Sequence, residues 1–161
     1  MRYGCGCWGC PLGARPAWPE IRSQSAYSLC YGQPVDHEEA KRFSESWVAA
    51  WNSHDLEAIL AHFSDDVVFT SPVAAQLLEG CDGIVNGKSA LRDYWDQGLA
   101  KNTDLHFDVE ALYVGINTIV INYRNQRGNL VNEVLRLEHG LAVEGHGTYL
   151  SDDALTVSGL R

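Results

Sequence analysis

The hydrophobic period of this chain changes once along its length, and that switch narrows the possible folds more than any other feature. Up to about residue 100, apolar residues recur at helical spacing. Phe43, Trp47, Val48 and Trp51 form one stripe, and Leu56, Ile59, Leu60 and Phe63 form a second, shorter one. Leu91, Tyr94, Trp95 and Leu99 share a face between Lys88 and Ala100, which predicts a third helix. From Leu105 the pattern alternates: Leu105, Phe107, Val109 and Ala111 are interleaved with His106, Asp108 and Glu110, the period of a half-buried strand. Ile119 to Tyr123 and Val131 to Leu137 flank the turn signal Gln126-Arg127-Gly128-Asn129, which predicts a hairpin. A last strand runs from about Leu141 to Leu150.

Punctuation between these runs fixes their ends. Asp36-His37-Glu38-Glu39 places acidic residues at the start of the first helix, where the helix dipole favours them. Asn52-Ser53-His54-Asp55 breaks that helix and offers Asp55 as the N-cap of the next. One strand, Val67 to Ser71, sits among the helices and stops at Pro72. Val73 to Gly87 reads as a loop with a short strand. The order is helix, helix, strand, helix, then three or four antiparallel strands. It predicts an α+β domain over residues 37–150, with helices on one face of a bent antiparallel sheet. Such a sheet curls around its concave side and leaves a pocket there.

Residues 1–36 hold Pro11, Pro16, Pro19 and Pro34, many glycines and no sustained period, so a poorly ordered extension is expected. The composition also fits a reading frame extended ahead of the domain. Residues 151–161 are expected to form a tail. Cys5, Cys7 and Cys10 crowd together, but a zinc site would need Cys30 or His37 as a fourth ligand, and the usual paired spacing is missing. No metal or other cofactor is therefore expected. The segment also lacks the continuous apolar stretch of a secretory signal, and no run approaches the ~20 residues that span a bilayer. A cytoplasmic location with no membrane partner is the resulting expectation.

Charge excludes one class of partner. The chain carries a formal net charge of −9. Arg2, Arg15 and Arg22 against Glu20 and Asp36 give residues 1–36 about +1, so the remainder carries about −10. Nucleic-acid binding relies on Lys and Arg neutralising phosphates, so a domain this acidic is not expected to bind nucleic acid.

Several segments in this order resemble a known family. Trp51-Asn52-Ser53-His54-Asp55-Leu56-Glu57-Ala58-Ile59 is similar to its helix junction, and Phe63 to Phe69 (FSDDVVF) resembles its entry into the first strand. Gly87-Lys88-Ser89-Ala90-Leu91 is similar to the start of its third helix. Glu133 to Leu137, Gly140 and Gly145 to Tyr149 resemble its closing strands. The family is the nuclear transport factor 2-like superfamily, in its SnoaL-like bacterial branch, and the likeness covers about residues 38 to 150. It implies a cone-shaped α+β barrel with three N-terminal helices, homodimers through the sheet and a deep apolar pocket for a small molecule. It does not imply one reaction, since members include isomerases, polyketide cyclases, dehydratases, epoxide hydrolases and noncatalytic binders.

Strand parity then sorts candidate residues. Val131, Leu135 and Leu137 share a face with Glu133, and a carboxylate among apolar neighbours is the sharpest chemical signal in the chain. Burial would raise its pKa and make it an acid, a base or a hydrogen-bond donor near neutral pH. The competing reading is an edge or interface carboxylate paired with Arg124 or Arg136. A three-residue loop at Arg127-Gly128-Asn129 would set Tyr123 opposite Glu133 and Ile121 opposite Leu135, with Tyr123 as an assisting hydroxyl; a half-buried core role for Tyr123 is the alternative.

His146, between Gly145 and Gly147, is the third candidate catalytic residue, and it reaches the cavity only if a bulge reverses the strand parity that the resemblance implies. Inward glycines there would widen the pocket. Trp47, Trp51, Phe63, Phe69, Ser71, Phe107, Ile121, Leu135 and Tyr149 are the expected pocket walls. His62 is a further candidate base, with an exposed polar-face role as the alternative. Against the isomerase branch, the resemblance places Ser71 where the general base stands, Trp47 where a helix-borne Tyr stands and Glu133 where the second acid stands. Serine accepts no proton near pH 7 without a neighbouring base, which counts against steroid-type isomerisation. Two functions follow: a small-molecule isomerase, cyclase or hydrolase using Glu133, or a noncatalytic binding or dimeric interaction module.

Overall fold

A computed structural model describes residues 34–151. The cysteine cluster and most of the predicted extension and tail lie outside them. Asp36 accepts a hydrogen bond from the Glu39 amide (2.7 Å) and starts α1, His37–Asn52. Its stripe buries Ala40, Phe43, Ser44, Trp47, Ala50 and Trp51. His54 takes a positive φ of 57° at the break, and Asp55 caps α2, Leu56–Leu60, through the Ala58 amide (3.0 Å). Both helix starts follow from an acidic side chain satisfying a free amide.

β1 runs Phe63–Thr70, beginning earlier than the predicted strand. The region after it differs from the expected loop. Ser71 is an N-cap, its Oγ accepting from the Val73 amide (3.1 Å), and Pro72 occupies the first turn of a short helix, α3, Pro72–Leu77. Proline there costs no hydrogen bond, because the first-turn amides have no intrahelical partner. The described residues therefore hold a fourth helix beyond the three expected. The expected short strand is β2, Ile84–Asn86, and α4 follows over Lys88–Lys101. Among the described residues no helix is long and apolar enough to cross a membrane.

The remaining strands are β3 (Phe107–Val114), β4 (Thr118–Asn125), β5 (Leu130–Glu138) and β6 (Leu141–Tyr149). Together with β1 and β2 they make one curved, unclosed sheet in the order β2-β1-β6-β5-β4-β3. All neighbours are antiparallel except β1 and β6, which run parallel. A bulge between Val109 and Ala111 shifts the face of β3. Val109, expected on the buried face, is consequently exposed, while Leu112 and Val114 pack against the core.

The hairpin register is displaced from the expected one. Tyr123 pairs with Val131, Ile121 with Glu133 and Ile119 with Leu135. The turn still spans three residues but sits one residue earlier than expected, over Gln126-Arg127-Gly128, with the Asn125 amide donating to the Asn129 carbonyl (3.1 Å). Asn125 Oδ1 accepts from the Arg127 and Asn129 amides (3.0 and 3.1 Å), and Gly128 supplies a φ of 78°. A displacement of two residues preserves parity, so Ile119, Ile121 and Tyr123 remain on the buried face. α1 is tied to β3 by Asn52, whose side chain donates to the Phe107 carbonyl (3.0 Å) and accepts from its amide (2.8 Å). An aromatic cluster fills the concave side, with Trp47, Phe107 and Tyr123 stacked or tilted and Trp51 and Phe63 meeting Trp95 edge-on.

Candidate functional site

A cavity of about 120 Å³ opens between the concave sheet face and the helices. α1 supplies Trp47 and Trp51, and α4 supplies Tyr94, Trp95 and Gly98. β1 and α3 bring Phe69, Ser71, Val73 and Leu77. The later strands bring Phe107, Tyr123, Glu133, Gly147 and Tyr149. Among the described residues, no Lys, Arg or His lines it.

Glu133 is the only carboxylate in the lining among the described residues, and it is 5% exposed. Its Oε2 accepts a hydrogen bond from the Tyr123 hydroxyl at 3.3 Å. Burial raises its pKa to about 8, opposed by the bond from Tyr123. Tyr123 is pushed well above its ordinary range, first by burial and then by the neighbouring Glu133 charge. The alternative of a Glu133 salt bridge to an arginine is not what forms: Arg124 bonds Glu110, and Arg136 bonds Glu138 and Glu144.

A second polar group centres on Ser71. Besides the Val73 amide, its Oγ accepts from the Tyr94 hydroxyl at 3.2 Å. Burial raises the Tyr94 pKa, with the contact to Ser71 lowering it. Tyr149 is 42% exposed as a residue, yet its phenol reaches the site; burial raises its pKa, Ser71 lowers it and Glu133 raises it. The indole N–H groups of Trp47 and Trp51 are buried and have no hydrogen-bond partner among the described residues.

The two glycines of β6 have different reasons. A Cβ on Gly145 would lie 2.6 Å from the Phe69 ring, so that glycine lets Phe69 pack onto the strand and does not widen the pocket. A Cβ on Gly147 would meet nothing closer than Ser71 Oγ at 3.6 Å and Glu133 Oε2 at 3.8 Å.

Of the expected walls, Trp47, Trp51, Phe69, Ser71, Phe107 and Tyr149 line the cavity. Phe63, Ile121 and Leu135 do not: each is 0% exposed and sealed in the core behind it. Glu133 and Tyr123 are brought together, but His146 is not brought to them. It pairs with Val134 and Thr70 in the sheet and turns to the convex side, where its Nδ1 meets Thr70 Oγ1 (2.7 Å) and its Nε2 meets Glu144 (3.1 Å). The alternation of β6 holds through this stretch, so no bulge turns His146 inward. His62 also lies off the cavity, with its Nε2 2.8 Å from Ser46 Oγ and its Nδ1 2.9 Å from the Ala58 carbonyl. Tyr94 is the polar residue that sequence reasoning missed. It stood in the sequence as one member of an apolar stripe, and only its contact with Ser71 separates it from core.

The SnoaL-like domain model matches residues 44–149. The chain belongs to the SnoaL-like family. A SnoaL-like protein of unknown function from Burkholderia thailandensis is 34% identical, with a TM-score of 0.69, over 73% of this chain and 100% of that one. Lower-identity structures share the fold. One is a nuclear transport factor 2-like protein from Burkholderia pseudomallei (18% identity, TM-score 0.57, 74% of this chain and 95% of that one). Another is TerC, co-crystallised with polyporic acid (12% identity, TM-score 0.59, 74% of this chain and 96% of that one). A search of curated proteins finds no match. The SnoaL-like assignment accounts for the curved sheet and helical lid and leaves the chemistry to the side chains just described.

Proposed function

We propose that this SnoaL-like protein is a small-molecule enzyme of the isomerase, cyclase or hydrolase type, in which Glu133 moves a proton to or from a ligand in the aromatic cavity. One observation carries the reading: a single carboxyl stands buried in a wall that is otherwise aromatic, aliphatic or hydroxyl-bearing apart from the Asn102 amide. Its pKa of about 8 lets it donate as the neutral acid and accept as the carboxylate close to physiological pH. Tyr123 fixes its orientation through Oε2. Ser71 has its oxygen engaged by an amide and a phenol, and among the described residues no His, Lys or second carboxylate lines the cavity, so the proton has one carrier. A mechanism built on one carrier either returns the same proton to another atom of the ligand or protonates a ligand oxygen as a bond breaks or closes.

The test begins with a ligand screen by thermal shift, since binding to the native state raises its apparent stability. Glu133→Gln should then lower turnover of the ligand found by about 10²- to 10⁴-fold while leaving the fold intact. Turnover unchanged in that variant would sink the proposal. A second reading, a noncatalytic binding module, draws on the lack, among the described residues, of a second carboxylate or of any His, Lys or Arg in the lining. It wins if the screened ligand binds and is recovered chemically unaltered. In either case we place a homodimer contact on the convex sheet face, where Val120, Val134 and His146 are only half-buried.

A further inference from the structure

His62 takes no part in the cavity, yet its imidazole is held in one defined state. Its Nδ1 faces two carbonyl oxygens, Ala58 at 2.9 Å and Ile59 at 3.3 Å. A carbonyl only accepts, so Nδ1 carries the hydrogen and the neutral ring presents a lone pair at Nε2. Phe43 meets the ring edge-on, with centroids 5.0 Å apart, and limits its rotation. Nε2 lies 2.8 Å from Ser46 Oγ.

The hydroxyl of Ser46 therefore has a base to receive its hydrogen. Its other acceptor is the Phe43 carbonyl at 3.1 Å, one turn back in α1. The two compete for one hydrogen. Neutral His62 takes it, whereas protonated His62 donates from Nε2 and returns it to the carbonyl. Among the described residues nothing donates to Ser46 Oγ, so its lone pairs are open, and Ser46 is exposed. A hydroxyl, a base within hydrogen-bond reach and a third group orienting that base are the parts of an activated nucleophile.

Three other hydroxyls each lack one of these conditions. Ser71 is buried and accepts from the Val73 amide and the Tyr94 phenol, which occupies its lone pairs. Thr70 meets His146 Nδ1 at 2.7 Å, but it is a secondary alcohol, half-buried between the strands that carry His146 and Ile84. Ser53 faces only a carbonyl, that of Ala50 at 3.0 Å.

We propose that Ser46 is a covalent modification site that takes an acyl group from an activated ester, with His62 as its general base. Ser46 Oγ forms a bond to the acyl carbon as its proton passes to His62 Nε2. The bond from that carbon to the leaving oxygen breaks, the leaving group departs as an anion, and the proton on His62 goes to water. The site is separate from Glu133 and the cavity, so it stands or falls apart from the function proposed there.

The probe is p-nitrophenyl acetate, added to the full chain, quenched with acid and followed by peptide mapping in a mass spectrometer. Acetyl should appear on Ser46 and be removed by hydroxylamine, which cleaves an ester and spares an acetylated lysine. The rate of its appearance should rise with pH and level off once the imidazole is neutral. His62→Gln keeps a side chain able to hydrogen-bond Ser46 but unable to take its proton. It should slow acetylation of Ser46 by about 10²-fold and abolish the levelling, with circular dichroism checking the fold. Ser46→Ala, at an exposed helix position, should lose the hydroxylamine-labile acetyl. Ester found on Thr70 or another hydroxyl with Ser46 unmodified, a parent chain whose rate never levels off, or an equal rate in folded His62→Gln would overturn the proposal.

Discussion

Tyr123 and Glu133 are hydrogen-bonded at 3.3 Å although they are not opposite one another in the sheet: Tyr123 pairs with Val131, and Glu133 pairs with Ile121. The bond is diagonal across the hairpin, on the buried face shared by both residues. A long phenol can reach a position two residues away on the neighbouring strand, where a shorter side chain could not.

That bond holds the carboxyl pKa below what burial alone would give. Tyr123→Phe should therefore move the Glu133 titration midpoint upward, by up to about one pH unit. Carbon-detected NMR of the Glu133 carboxyl reads this directly. A midpoint that moves down would mean that Tyr123 does not donate to Glu133.

Glu133 also sets a pH dependence of stability. The unfolded chain releases this proton near the ordinary glutamate value of 4.5, whereas the folded chain keeps it up to about 8. Between those values folding takes up a proton, so stability falls as pH rises, by at most about 1.4 kcal/mol per pH unit. Above the folded pKa the loss is complete. Glu133→Gln removes this dependence, and chemical denaturation at pH 5 and pH 9 should show a smaller drop in the variant than in the parent chain.

Gly145→Ala forces a methyl into the Phe69 ring and should cost about 1–3 kcal/mol, the usual range for overpacking a filled core. Gly147→Ala has room and should change stability by less than about 0.5 kcal/mol. Urea unfolding of the pair separates the two glycines, and equal costs would contradict the packing described for β6.

The convex face supplies a test of assembly. Val134→Lys places a charge beside His146 on the sheet surface proposed as the homodimer contact. Sedimentation should find a dimer in the parent chain and a monomer in the variant. Dimers in both would place the contact elsewhere.

Much of the architecture was legible in the sequence because it is written in local periods. The helical stripes through Phe43 and Leu91, the acidic helix start at Asp36, the cap at Asp55 and the alternation around Glu133 each express short-range physics. The hairpin register was not legible, because it depended on how Asn125 would bond two amides of its own turn. α3 was missed because Ser71-Pro72 reads equally as a strand stop and a helix start. At the site, Glu133 stood out because its neighbours are apolar along the chain. Tyr94 did not, because Ser71, its partner, is 23 residues away. Phe63, Ile121 and Leu135 were placed one layer too far forward: parity gives the face of a strand, while depth depends on what covers it.

The parallel pairing of β1 with β6 joins nearly the first and the last elements of the domain, with Thr70 meeting His146. Ser71 follows the one strand and Gly147 belongs to the other, so the polar floor of the cavity exists only once this long-range junction has formed. Contacts so distant along the chain are slow to form, since the intervening loop must be closed before they stabilise anything. During synthesis the helices and β1 emerge well before their β6 partner. The pocket is thus a late product of folding, and a chain ending before residue 141 would carry every aromatic wall except Tyr149 and would lack Gly147.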